Sequence, residues 1–425
     1  MPTLVVQRID PESLDTTFAV VDQHGAKLGI LTPPPEVAEL DVITIHQPPD
    51  TEHAVIETAQ GLFTMDVATF ELKLFLGGGV VNWRDPNSRF LVMTAAAAVE
   101  VVDLVMLERY VVGSDQERFG AIGSNGEQVA LTTLGTDFFG KYLVDAGAGV
   151  VTELAEGGAI AEVPFDDLGN HLLVIRSTQL GDGRLTELLV SPAANPRQQV
   201  AWYTSDLQPS GVWGTDQLVV VERAGGAVLL VTADSTHQIS NLPEVGTPVL
   251  FGDPTSGAVL INFLAGGTSR WFHVDSAAAS MRELPELGGL RFSSTVGSTS
   301  EVLVLDDSLG NGDFKAARTV AVRIADGHTM ELASSQERRL VSGGALSSTF
   351  VMVGLGHEVP LEVINLDTGE RLTLDGGVFA QLDPDSGLLA VAFGRAPERT
   401  TSLVDLATGE IRHLTEGNPL AWLQR

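Results

Sequence analysis

The chain is 425 residues long and 44% hydrophobic, carries 55 acidic against 25 basic residues for a formal charge of −30, and has no cysteine. That length and apolar content support a large buried core. The acidity is spread along the chain, which disfavours nucleic acid or an anionic membrane as partner and favours a cation or a basic protein, and the missing thiols remove disulfides, thiolate zinc sites and cysteine nucleophiles.

The first residues, Met1 to Val6, lack the basic start and long apolar stretch of a signal peptide, and the most apolar tract, Ala95 to Leu107, is broken by Glu100 and Asp103. No membrane-inserted segment is expected. An exported chain stripped of its leader would read the same, so the compartment stays unassigned. Lysine occurs only at Lys27, Lys73, Lys141 and Lys315; genomic base composition accounts for this, with adaptation to high salt as the alternative.

Residues Leu4 to Ile9 alternate like the second strand of a unit that lacks its first. From there, an acidic or small polar residue closing an apolar strand recurs at Asp22, Asp66, Asp103, Asp145, Ser191, Thr232, Asp275, Ala325, Asp367 and Asp405. The period is about 43 residues, the signature of an all-β propeller of four-stranded blades. Ten such positions predict ten blades in a single domain over residues 1–425. Propellers typically carry four to eight, so seven or eight blades is the alternative.

Tight turns punctuate the units at Asp85-Pro86-Asn87-Ser88, Asp253-Pro254-Thr255-Ser256-Gly257 and Asp383-Pro384-Asp385-Ser386-Gly387. In each, the Asp bonds back to the backbone and Pro presets φ for a type I turn. The last full unit is a template: Phe379 to Leu382, Leu388 to Phe393, then a hairpin of residues 400–406 and 409–415. After it, Asn418 to Leu423 reads as a first strand with no blade to follow. Paired with the N-terminal strand, it would complete one blade and close the ring, removing exposed edges.

At Asp383 to Val391 and at Asp405-Leu406-Ala407-Thr408-Gly409-Glu410 the chain resembles the bacterial WD40-like propellers of the TolB and YVTN type, whose repeats carry a Ser-Pro-Asp-Gly turn and an Asp-x-x-Thr-Gly-Glu hairpin. The resemblance touches every unit and is sharp in the last two. It departs in the Asp-Pro-x-Ser turn and in lacking the Trp-Asp ending of WD40 repeats. It implies the fold and a tendency to bind proteins or ligands, with no activity carried over.

Catalytic propellers need polar groups converging from innermost strands. His24 and His328 fall at hairpin turns, His237 and His413 in outer strands, His273 in a third strand and His357 in a loop, leaving only His46 and His53 near an inner strand. Surface or packing roles are expected for them. There is no Gly-x-Ser-x-Gly nucleophile elbow, and no sialidase-type Asp-box. Trp83, Phe251, Trp213 and Trp422 occupy comparable strand positions. A stacking platform for sugar is one reading; packing between blades, which must bury both faces, is preferred.

Asp306, Asp307, Asn311 and Asp313 cluster in one acidic loop. They offer oxygen ligands of the kind Ca²⁺ takes, but the spacing is not that of an EF-hand and the final bidentate Glu is missing. A solvated loop and no cofactor are expected. The connections from second to third strand vary most: residues 136–140, 179–184, 356–359 and 394–399. All such connections open on one propeller face, and variable loops on a rigid scaffold commonly carry recognition. Phe138, Phe139, Asp182, Arg184, His357, Arg395 and Arg399 are therefore the candidate partner-binding residues. The leading expectation is a non-enzymatic protein-binding or scaffold propeller, possible as a subunit of a larger assembly. The runner-up is a propeller hydrolase or lyase acting through carboxylates in the central channel.

Overall fold

The computed structural model describes residues 3–423 apart from 11, 14, 33, 35–39, 49, 86–88, 96–97, 115–117, 135–138, 155–158, 181–182, 243–245, 254, 266–267, 293–300, 308–317, 334–341, 348, 355–359, 384–385 and 396. It contains ten four-stranded antiparallel sheets. In chain order they span residues 3–31 with 418–423 (blade 1), 42–77 (blade 2), 80–114 (blade 3), 118–153 (blade 4), 159–205 (blade 5), 209–241 (blade 6), 247–283 (blade 7), 291–333 (blade 8), 342–374 (blade 9) and 377–416 (blade 10). The fold is a ten-bladed β-propeller, so the count read from the repeat holds against the commoner smaller numbers. Among the described residues the sole helical element is a 3₁₀ turn at Pro285–Leu287, and no helix is long and apolar enough to cross a membrane.

The terminal strands meet as expected. Thr3–Ile9 pairs antiparallel with Asn418–Leu423, in the register Thr3↔Leu423 to Gln7↔Asn418. The Thr3 hydroxyl adds a bond to the Leu423 carbonyl.

Two compact units divide the chain, residues 1–109 with 349–425, and residues 110–348. Within each, period-2 alternation sends successive side chains to opposite faces of a blade. In the first unit, Ala54 and Ile56 of blade 2 pack with Val5 and Phe18 of blade 1, whereas Val55 and Leu62 of blade 2 pack with Leu91, Met93 and Val102 of blade 3. In the second unit, Val219 and Val221 of blade 6 face Val259 and Ile261 of blade 7, while Leu218 and Val220 face Leu173 and Leu188 of blade 5. Each fully buried aliphatic side chain contributes about 1.5–3 kcal/mol. That is why nearly every central strand is apolar on both faces.

The recurrent polar residue at the end of the third strand is a turn-builder. The carboxylates of Asp22, Asp66, Asp103 and Asp405 each accept two backbone N–H groups of the following hairpin, an Asx turn that spares the backbone unpaired donors. Blades 8 and 9 correct the sequence reading by two residues. The position matching Asp405, whose N–H bonds to Glu410 O, is Asn365, bonded to Glu370 O, in place of Asp367, and Arg323, bonded to His328 O, in place of Ala325. Spacing alone cannot distinguish two residues of the same parity; the backbone ladder does.

The Asp-Pro turns also serve the backbone. Asp253 accepts Thr255 N–H and the Ser256 hydroxyl, and Asp383 accepts the Ser386 hydroxyl. Three of the four aromatic residues pack between blades, as expected: Phe251 stacks on Trp271 with centroids 5.9 Å apart and joins it against Leu303 and Leu305 of blade 8, Trp213 is fully buried with its indole N–H on the Pro164 carbonyl of blade 5, and Trp422 donates to the Gln381 carbonyl of blade 10.

Candidate functional site: a cleft between blades 2 and 3

In blade 2 the strand His53–Thr58 places Glu57 on the same face as Val55, toward blade 3. The register Thr44↔Glu57 and His46↔Val55 sets His46 on that face too. In blade 3 the strand Val80–Arg84 pairs Val81 with Met93 and Arg84 with Leu91, with a register shift between Val81 and Trp83. That bulge matters. Val81 and Arg84 are three apart and would otherwise point to opposite faces; the extra residue brings both to the blade 2 side.

Arg84 grips Glu57 through a fork, Nε to Oε2 at 2.9 Å and Nη2 to Oε1 at 2.5 Å. His46 Nε2 lies 3.3 Å from Oε2. Glu57 and His46 are both buried, while the Arg84 side chain is 43% exposed. Burial would raise the Glu57 carboxyl, but the hydrogen bonds from His46 and Arg84, with their charges, outweigh it and hold the group below its ordinary value.

Above this pair lies a cleft of about 350 Å³, lined by Ile43, Glu57, Thr58, Gly79, Val80, Val81, Arg84 and Met93 among others. Gly61 and Gly79 both line it. A Cβ on Gly61 (φ +140°) would sit 2.1 Å from the Leu76 carbonyl oxygen, and one on Gly79 (φ +107°) 2.5 Å from the Met93 methyl. Only glycine permits these approaches. Thr58 is occupied locally, its hydroxyl donating to Gly61 O and accepting from Gln60 N–H.

A second Arg–Glu fork lies in blade 3, where Arg109 binds Glu100 at 2.8 and 2.6 Å. In the other unit, Tyr203 donates to Glu222 at 2.5 Å, and burial together with that carboxylate pushes the phenol up to about 12. His171 Nδ1 lies 2.7 Å from Asp166 Oδ2 beside Trp202 and Trp213.

The residues expected to bind a partner divide. Phe138, Asp182 and His357 lie outside the described residues. Phe139 and Gly140 are not loop residues: they open the strand Phe139–Asp145, with Phe139 opposite Leu134. Arg184 likewise belongs to a strand, opposite Gln179, because His171–Leu180 and Gly183–Pro192 pair over their whole length. Arg395 is exposed between strands, and Arg399 Nη1 donates to Asn418 at 3.2 Å. Of the acidic stretch, Asp306 ends a strand and is buried, Asp307 accepts Arg318 N–H, and Asn311 and Asp313 lie outside the described residues. Among the described residues no three His, Asp or Glu side chains are grouped to hold a metal ion.

Sequence spacing places His46 near an inner strand but carries no link from it to Glu57 and Arg84, and gives His171 no role. The signal for Glu57 is a carboxylate in the apolar run His53-Ala54-Val55-Ile56-Glu57, where alternation demands burial. His53 and His273 are packing residues: their Nε2 atoms bond the carbonyls of Leu104 and Ile324.

No family model and no curated protein matches the sequence. Among solved structures the chain is similar to a eukaryotic initiation factor (10% identity, 98% of this chain and 97% of that one, TM-score 0.46). It is also similar to an oligogalacturonate lyase in complex with manganese (12%, 95% and 96%, TM-score 0.38) and to TolB from Acinetobacter baumannii (13%, 69% and 81%, TM-score 0.28). At such identities a likeness speaks to fold alone.

Proposed function

We propose that the protein is a non-enzymatic binding propeller that engages a protein partner through its second-to-third-strand connections, with the blade 5 ribbon as the principal element. One observation carries this reading. The strands His171–Leu180 and Gly183–Pro192 are ten residues each, but the flanking strands pair only as far as Ile175 on one side and Thr186 on the other. Beyond Ser177 and Thr186 three residues of each strand run on as a two-stranded ribbon, about 10 Å at roughly 3.4 Å per residue. Its first strand, Thr178 to Leu180, is exposed, and Leu180 is 56% exposed. A ribbon of this kind offers main-chain groups for strand addition and an apolar anchor at its tip. The formal charge of −30 favours a basic partner surface.

The carboxylates support the same reading, since many are committed to structure. Asp22, Asp66, Asp103 and Asp405 cap hairpins, and Glu57, Glu100, Glu187 and Glu283 are held by Arg84, Arg109, Arg176 and Arg270. The reading includes no cofactor.

The test replaces residues 178–185 with an Asn-Gly turn and compares proteins co-purified from native extract by quantitative mass spectrometry. A stoichiometric partner should be retained by the parent and lost by the trimmed protein at unchanged melting temperature. Equal recovery with both proteins would sink the proposal.

A further inference from the structure

The cleft between blades 2 and 3 has a chemistry that the ribbon does not explain. We infer that it binds a small apolar monocarboxylic acid, whose carboxylate meets the outer edge of the Arg84 guanidinium while its hydrocarbon body lies between Ile43, Val80, Val81 and Met93.

A guanidinium has five N–H donors in a fixed plane. Glu57 takes one from Nε and one from Nη2, and among the described residues the remaining three have no acceptor. Two of these, on Nη1 and Nη2, form a second edge suited to bidentate recognition of a carboxylate. Because both Glu57 oxygens are occupied on the inner edge, Arg84 is already oriented, so little side-chain entropy is lost when a ligand arrives.

The walls define the rest of the ligand. Val80 is 65% exposed and Ile43 53% exposed, and both line the cleft with Val81 and Met93. The hydroxyl of Thr58 is taken up within its own turn. One cationic edge among apolar walls matches one carboxylate and a tail. A sugar or a dicarboxylate would leave polar groups against Ile43, Val80 and Met93 without partners, which is costly. At a share of roughly 30 Å³ for each water-sized group, a cleft of about 350 Å³ admits about a dozen such groups. Hexanoate and 3-phenylpropionate are of this size.

The overall negative charge opposes an anion, but at physiological ionic strength charges beyond about 8 Å are largely screened. Within that distance the Glu57 carboxylate offsets part of the Arg84 charge, so it is the open Nη1–Nη2 edge, with two N–H groups in one plane, that selects a carboxylate.

Calorimetric titration of the full chain with hexanoate, hexanamide and acetate tests the proposal. Hexanoate should bind saturably, with hexanamide weaker by about tenfold or more because it lacks the charge, and acetate weaker likewise because it lacks the tail. Val80→Asp, at an exposed position that spares the fold, should weaken hexanoate by about tenfold or more. Arg84→Lys, which keeps the charge and loses the fork, should weaken it without abolishing folding. Absence of saturable hexanoate binding up to about 10 mM overturns the inference. So does equal affinity for hexanamide, or unchanged affinity in Val80→Asp. Trimming the blade 5 ribbon should leave hexanoate binding intact, so the two proposals fail separately.

Discussion

Lys141 should make the protein more stable as the medium becomes alkaline, against the usual trend for a chain of formal charge −30. The residue lies in the strand Phe139–Asp145, opposite Thr132, and is 2% exposed. Burial disfavours its ammonium, and the like charge of Arg176 adds to this, lowering its pKa from 10.5 to about 8. A lowered lysine value means that between pH 8 and 10.5 the unfolded chain holds a proton that the folded chain has released, so stability rises with pH across that window. At 1.36 kcal/mol per unit the displacement costs the folded state about 3 kcal/mol at pH 7, and about 2 kcal/mol of this is recovered by pH 10. The assay is urea unfolding of the parent and Lys141→Met at pH 7, 8.5 and 10. Subtracting the variant cancels the general effect of rising negative charge. The difference between the two proteins should move by about 2 kcal/mol in favour of the parent between the first and last pH. Parallel profiles would refute the reasoning, because they would mean that Lys141 titrates alike in both states.

Glu57 should act in the opposite direction. Its carboxyl is held below the ordinary glutamate value, so its contribution is full above that value and is lost as pH falls through the lowered one. Glu57→Gln should lower stability at pH 7 by about 1–3 kcal/mol and flatten the acid limb of the unfolding profile; acid limbs of equal slope would count against this. Deleting residues 418–425 removes the strand paired with Thr3–Ile9 and exposes two strand edges. Calorimetry should show loss of a single cooperative transition, or aggregation, and an unchanged melting curve would contradict the closing role of that strand.

The all-β class, the repeat, the ten blades and the pairing of the termini are all legible along the chain. All follow from local physics: alternation with period 2, Asp and Pro presetting turns, and a recurring polar residue whose carboxylate caps the next hairpin. Burial of Trp213 and packing of Phe251 are legible too, because a blade has two faces to cover. The reading failed where local signals are degenerate. Asn365 and Asp367 share parity and polarity, and the glycines near Gly140 and Gly183 suggested loops where the chain continues in strands. The cleft exists only in three dimensions. Glu57 and Arg84 are 27 residues apart in different blades, and they meet because a bulge after Val81 turns Arg84 toward blade 2. The depressed lysine at position 141 is of the same kind, since its desolvation comes from packing that no neighbour in sequence encodes. Turn chemistry and strand alternation act between adjacent residues and can be read along the chain, whereas charge pairing and desolvation depend on what the blade interface brings together.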